Sequence, residues 1–338
     1  MKKRIKHLWN KTAEPRTERL LLIFLPFLTL VLVALILAPG ILSILEDAPL
    51  LPPESTAAEP AEDEGLAHLP EAEAEGAPAP TPVPTSAPIT VSESGALLGW
   101  QQIAGSTYYY DRNGTPVTGM QTIDGKLYFF DQYGVKAERL GIDVSFYNKF
   151  ITWPAVAAQG IDFAILRAGG RGWETGLIYD DRWFQRNLAE ARNAGIDLGV
   201  YFFSTATNPA EAEQEALYVL DCLGGTELEL PIFIDVEYSG DYPHGRADQL
   251  SKAQRELIIN AFCRTVRDHG YEAGVYSGQN YFKFNLDMRS LTKYTVWLAS
   301  YTKNARLPDY PGHYDLWQFT DRGRVNGISG IVDMNAWM

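Results

Sequence analysis

Eight short apolar runs, amphipathic stretches between the earlier ones, and carboxylates at the ends of several runs predict an α/β fold class over residues 139–338. The architecture that accommodates them is an irregular TIM-like (β/α)5β3 barrel. The runs are 141–145, 162–167, 197–203, 231–237, 272–277, 295–300, 314–319 and 331–334. Helical periodicity occupies 153–159, 181–194, 209–223, 247–269 and 281–289, and none separates the last three runs. Ahead of the barrel the sequence predicts, in order, a basic tail (1–19), one transmembrane helix (20–45), a disordered acidic linker (46–95) and a small β-hairpin repeat module (96–138).

Residues 20–45 read LLLIFLPFLTLVLVALILAPGILSIL, 26 residues without a charge. That exceeds the roughly 20 needed to cross a bilayer as a helix and is longer than a secretory signal core. Lys2, Lys3, Arg4, Lys6, Lys11, Arg16 and Arg19 lie before it, and Glu46 and Asp47 after it. The positive-inside rule therefore keeps the N-terminus in the cytoplasm and exports the rest, giving a single-pass cell-membrane protein. Residues 46–95 hold eleven of the acidic groups and no Lys or Arg, so they account for most of the net charge of −13. Pro, Ala and Glu dominate there. Such a composition cannot bury enough apolar surface to offset its ordering entropy, and it predicts a stiff, solvated spacer.

The remainder is close to neutral and has no basic patch with interleaved aromatics, which argues against nucleic acid as a partner. Cys222 and Cys263 are too few for a disulfide framework and read as core thiols, with a bridge as the alternative. His244, His269 and His313 lack metal-ligand spacing; no metal and no cofactor is predicted.

A shift of 20 residues aligns Gly99, Gln101, Ile103, Gly105, Tyr108, Asp111 and Gly114 with Gly119, Gln121, Ile123, Gly125, Tyr128, Asp131 and Gly134. This is an internal repeat of two hairpins, each turning at Ala104-Gly105 or Asp124-Gly125. The run GWQQIAGSTYYYDRNGTPVTGM resembles the cell-wall-binding repeats of choline- and glucan-binding proteins. The resemblance implies a choline or glycan wall ligand held by aromatic faces, with Trp100, Tyr109 and Phe129 at the matching positions. Met120 stands where a second Trp is usual, and two units are few for a solenoid, so a structural adaptor packed on the barrel is the competing reading.

In a barrel of parallel strands the reactive groups gather at the strands' C-terminal ends. Asp143 lies late in the first run, Asp235 and Glu237 close the fourth, and Asp333 lies on the eighth. Strand periodicity places Asp235 and Glu237 on one face, about 6.6 Å apart along the strand. Cleaving a glycosidic bond needs a protonated acid at the leaving oxygen and a second carboxylate for the oxocarbenium-like centre. Mutual repulsion and burial favour Glu237 protonated and Asp235 charged. The bland alternative is that these acids pair with arginines such as Arg167 or cap loops.

The segments GIDVSFYNKFITWPAVAAQGIDFAILRAG, DDRWFQRNLAEARNAGIDLGVYFFS, PIFIDVE, GVYSG, VWLASY, DLWQF and VDMN, in that order, resemble glycoside hydrolase family 25 lysozymes. The resemblance implies an N-acetylmuramidase that cleaves the β-1,4 bond between N-acetylmuramic acid and N-acetylglucosamine of peptidoglycan with retention. It implies Glu237 as the acid within a cluster with Asp143, Asp235 and Asp333, and Tyr201, Tyr276, Trp297 and Gln318 at sugar subsites. Direct attack by the second carboxylate and neighbouring attack by the substrate acetamido group both stay open. A family 18 chitinase would require Asp at 230 and 233, where Leu230 and Phe233 stand. A catalytically silent wall-binding adaptor on the same barrel is the alternative from another class.

Overall fold

The computed structural model describes residue 95 and residues 97–239 and 242–338. The expected tail, transmembrane helix and all but the last residue of the linker lie outside the described residues. Among the described residues no helix is long and apolar enough to cross a membrane.

The repeat forms two antiparallel hairpins, β1 (Gly99–Ile103) with β2 (Ser106–Tyr110), and β3 (Gly119–Ile123) with β4 (Lys126–Phe130). Each closes through a two-residue turn with positive φ at both positions, Ala104 and Gly105, then Asp124 and Gly125. That is the turn whose twist matches the flanking strands. The repeated aspartates fold the loops that follow. Asp111 Oδ1 accepts from the Asn113 and Thr115 N–H groups, and Asp131 Oδ1 accepts from Tyr133 and Val135.

The barrel strands are β5 (Arg139–Val144), β6 (Phe163–Arg171), β8 (Asp197–Phe203), β9 (Ile232–Asp235), β10 (Ala273–Gly278), β11 (Thr295–Ala299), β12 (Leu316–Gly323) and β13 (Val332–Trp337). Pairing of β5 with β6 closes the sheet. Parallel pairing runs from β5 through β6, β8, β9, β10 and β11 to β12, while β13 is antiparallel to both neighbours, β12 and β5. An antiparallel strand needs no crossover helix, which is why a short connection suffices there.

Helices α1 (Trp153–Ala158), α2 (Phe184–Asn193), α3 (Pro209–Leu223), α4 (Lys252–Asp268), α5 (Gln279–Asn285) and α6 (Met288–Leu291) surround the other sectors. Helix α3 has the predicted bounds because Asn208 caps its start, Pro209 follows, and left-handed Gly224 ends it. Helix α4 begins five residues later than the periodicity suggests. The Asp248 carboxylate is engaged by Ser239 N–H, Ser239 Oγ and Gly245 N–H, and the capping box of Ser251 with Gln254 then starts the helix. The predicted last helix is two, interrupted where Asp287 caps α6.

One strand escapes the sequence pattern. β6 continues through Gly169 and Gly170, which read as breakers, and pairs with β7 (Ile178–Asp180). A Cβ at Gly169 would stand 2.3 Å from the Tyr179 carbonyl oxygen, so the close hairpin requires glycine.

The second hairpin packs on the outer face of β12. Phe129 stacks on Phe319 with centroids 4.0 Å apart and meets Trp317 edge-on at 5.3 Å. Leu127 N–H donates to the Gln159 carbonyl at 2.7 Å and Glu138 N–H to the Trp337 carbonyl at 3.0 Å. Met120, partly buried, packs on the same core. Phe129 is 3% exposed, which corrects its expected role at a ligand face: its ring is part of the barrel's outer packing. Cys222 and Cys263 are both free, and Cys263 is buried.

Candidate active site

Inward-facing side chains fill the lumen in layers. The lower part is apolar: Phe163, Ile165, Leu230, Phe233, Trp297 and Leu316 form one buried cluster. Directly above it the strands turn acidic.

Asp143, near the end of β5, is paired across the sheet with Asp333. Because β13 runs antiparallel, Asp333 reaches the catalytic face from the start of its strand; the rule that puts reactive groups at strand C-termini does not apply to it. Asp143 Oδ2 accepts from Gln318 Nε2 at 2.8 Å and Asn335 Nδ2 at 2.9 Å. Burial pushes Asp143 up to about 6, opposed by those hydrogen bonds, and pushes Asp333 up to about 8, aided by the charge of Asp143. The pair thus favours the proton on Asp333 and the charge on Asp143.

Asp235 is the last residue of β9, and Glu237 lies two residues beyond the strand, which is shorter than the predicted run. The intervening backbone is fixed. Val236 N–H donates to the Tyr276 carbonyl at 3.1 Å, and its own carbonyl accepts from Ser277 Oγ at 2.5 Å. Asp235 is 4% exposed and its Oδ1 has no hydrogen-bond partner. Desolvation, then Glu237 and Asp143, push its pKa well above the ordinary carboxylate range, and Arg167 opposes them. Glu237 has an exposed surface at the barrel mouth, yet the protein walls around its carboxyl, together with Asp143, push it up to about 7. Proton affinity is therefore raised at both acids.

The expected subsite residues divide. Tyr201 and Tyr276 are half-buried and line the lumen; burial holds both phenols protonated. Trp297 is 1% exposed, which corrects its expected role as a sugar platform: packed against Tyr201, Phe233 and Tyr276, it is the floor. Its Nε1 donates to Asn335 Oδ1 at 2.7 Å, and so holds the amide that holds Asp143. Gln318 is likewise engaged. Its Oε1 accepts from Tyr276 at 3.0 Å and Tyr301 at 2.7 Å while its Nε2 binds Asp143, so it connects the walls instead of presenting a free amide. In the hairpins, Trp100 remains partly exposed and contacts Tyr109 at 5.1 Å and Tyr128 at 4.9 Å.

Asn335, Tyr301 and Arg167 belong to the site, and the sequence pattern alone assigns none of them a role in it. Two of them were findable, since period two leads from Asp333 to Asn335 and from Trp297 towards Tyr301. Arg167 was considered only as a partner that would neutralise the acids; it pairs instead with Asp181, Nε to Oδ2 at 3.0 Å. Among the described residues no group of His, Cys, Asp and Glu is arranged to hold a metal ion.

The family pattern described as glycosyl hydrolases family 25 matches residues 142–328, and that of the choline-binding repeat matches residues 97–133. The chain is 28% identical over 198 residues to the autolytic lysozyme of Clostridium acetobutylicum, covering 58% of this chain and 55% of that protein. It is 31% identical over 210 residues to lysozyme M1 of Streptomyces globisporus, covering 58% and 67%. It thus spans little more than half the length of the first of these relatives. Among solved structures, the modular autolysin LytC of Streptococcus pneumoniae in complex with a synthetic peptidoglycan ligand is similar with a TM-score of 0.56 and 26% identity, over 74% of this chain and 61% of that one. A family 25 glycosyl hydrolase from Bacillus anthracis shares the fold, with a TM-score of 0.51 and 20% identity over 60% of this chain and 89% of that one. With the closed barrel, the acid-lined lumen and a family pattern spanning more than half of the sequence, this chain belongs to glycosyl hydrolase family 25.

Proposed function

We propose that the chain is a peptidoglycan hydrolase, an N-acetylmuramidase that uses Glu237 as its general acid. The observation that carries this reading is a solvent-reachable carboxyl with its pKa raised to about 7, two residues beyond a deeply buried second carboxyl. Glu237 delivers its proton to the glycosidic oxygen as the bond to the anomeric carbon breaks. Asp235 is costly to ionise while the lumen is uncharged, and it becomes stabilised as positive charge develops at that carbon. In the productive form Asp235 is already the anion, so its attraction for the anomeric carbon grows only as positive charge develops there and favours the transition state over the ground state. Water completes hydrolysis, returning a proton to Glu237. Asp143, held by Gln318 and Asn335, and Asp333 keep the neighbouring wall acidic, and the Tyr201 and Tyr276 phenols offer donors to sugar hydroxyl or acetamido groups.

The substrate assignment draws on the lysozyme relatives. Trp100 and Tyr109 on the first hairpin are the positions for a choline or glycan wall ligand, on the strength of the repeat match. The charge-free run at 20–45 and its basic flank support a single membrane anchor with the barrel on the outer side; protease digestion of the barrel in right-side-out but not inverted vesicles is the expected result.

The deciding measurement is turbidity clearance of purified peptidoglycan by the wild-type protein and by Glu237→Gln, with reducing ends counted. Lysis by the former and a loss of about 100-fold or more in the latter is expected, the scale of removing a general acid. Equal rates would remove Glu237 from this role.

A further inference from the structure

Arg167 follows Phe163 and Ile165 along β6 at every second residue, so it belongs to the lumen face, directly above the apolar layer. Its register neighbour on β8 is Tyr201, which in turn neighbours Phe233, two residues below Asp235 on β9. The guanidinium is held from two sides. Asp181 Oδ2 binds its Nε at 3.0 Å and also accepts the Phe146 N–H at 2.7 Å, while Asp181 Oδ1 accepts from Trp183 N–H at 3.0 Å. The Phe146 and Tyr147 rings lie 4.6 and 5.4 Å from the guanidinium carbon.

A purely structural ion pair at this depth would satisfy its donors, because an unpaired buried N–H costs about 1–3 kcal/mol or more. Arg167 is 9% exposed and its Nη2 has no partner. Asp235, 4% exposed, has a free Oδ1 in the same lumen. Two opposite charges, each buried and each with one unused polar atom, face the volume in which the sugar is cleaved.

We infer that Arg167, clamped by Asp181 and the Phe146–Tyr147 rings, is a positioning residue that sustains Asp235 as an anion during glycoside cleavage. This deepens the muramidase reading and rests on it. The groups facing Asp235 are Glu237 beyond its own strand, Asp143 on β5, Arg167 on β6, Tyr179 on β7, Tyr201 on β8 and Tyr276 on β10. Both carboxylates oppose its ionisation, and Arg167 favours it.

The productive form has Asp235 ionised and Glu237 protonated. On the acid side its abundance scales with the ionisation constant of Asp235, and on the alkaline side with that of Glu237. Loss of the cation raises the Asp235 pKa, so activity falls on the acid limb and, where Asp235 is the harder of the two to ionise, across the optimum as well, while the far alkaline limit set by Glu237 is unmoved.

The test measures kcat/KM for the full chain on purified peptidoglycan from pH 4 to 9, for wild type, Arg167→Met, Arg167→Gln, Arg167→Lys and Glu237→Gln. Arg167→Met is expected to lose about tenfold on the acid limb and through the optimum, equivalent to a shift of about one unit in the Asp235 pKa. Arg167→Lys recovers most of that loss because the charge returns. Arg167→Gln gives the same reading should the Met variant not fold. A loss in Arg167→Lys as large as in Arg167→Met, or an acid limb identical to wild type in Arg167→Met, would overturn the inference while leaving the muramidase standing. Wild-type rates in Glu237→Gln, or no turnover by wild type, would overturn the muramidase reading itself.

Discussion

The two halves of the barrel lumen use the same strands for opposite ends. Along β9, Phe233 joins a sealed apolar layer and Asp235, two residues on, carries a carboxylate whose ionisation that layer makes expensive. The second pair of carboxylates, Asp143 and Asp333, is in register on β5 and β13, next to the Gly141–Asn335 pair. The lower layer excludes water and supplies stability; the upper layer spends part of that stability on raised proton affinity. The dry floor thus contributes to the raised proton affinity above it, because desolvation is the first reason for the shift at all four carboxylates.

Substitutions can break this division. The largest effect is expected at Glu237→Gln, where activity falls by about 100-fold or more while the thermal midpoint holds, because the side chain is exposed. Phe233→Ala inverts the outcome. A fully buried ring is lost from the lower layer, and urea denaturation should show a destabilisation of about 3–5 kcal/mol. Trp297→Phe addresses the boundary. It keeps most of the floor but removes the donor to Asn335, and should cost about 1 kcal/mol in stability with a fall in kcat as Asp143 loses its second support. The smallest effect is the pH dependence of stability. The Asp333 pKa is raised to about 8 in the folded chain, so its contribution is fully present below the unfolded value and is lost as pH rises towards 8. The thermal midpoint should fall by a few degrees between pH 5 and pH 8, and Asp333→Asn should flatten that slope.

The eight barrel strands were legible because apolar runs of four to eight residues bounded by polar turns have few other uses, and the caps at Asn208 and Ser251 set helix starts by local chemistry. The acids were legible because buried strand ends seldom tolerate carboxylates in number. Two things were not. The continuation of β6 through Gly169 and Gly170 depends on Tyr179 arriving from another strand, a tertiary fact without local signature. The reassignment of Trp297 and Gln318 from sugar contacts to supports follows from depth in the lumen, which alternation along a strand cannot measure. The repeat misled at Phe129 for the same reason: equivalent positions in two hairpins have different neighbours, and Tyr109 has no barrel beneath it.

The stacking of Phe129 on Phe319 also sets a limit on how this architecture can be rearranged. A cut at residue 139, where sequence texture alone divides the parts, would strip the second hairpin from the barrel and leave β12 with an aromatic surface open to water. The first hairpin does not make that ring contact. Replacing the chain upstream of Gly119 would lose the ring contacts of Trp100 with Tyr128 and Phe130 but leave Phe129 on Phe319, whereas replacing it downstream would lose both, so the second hairpin is structurally part of the barrel.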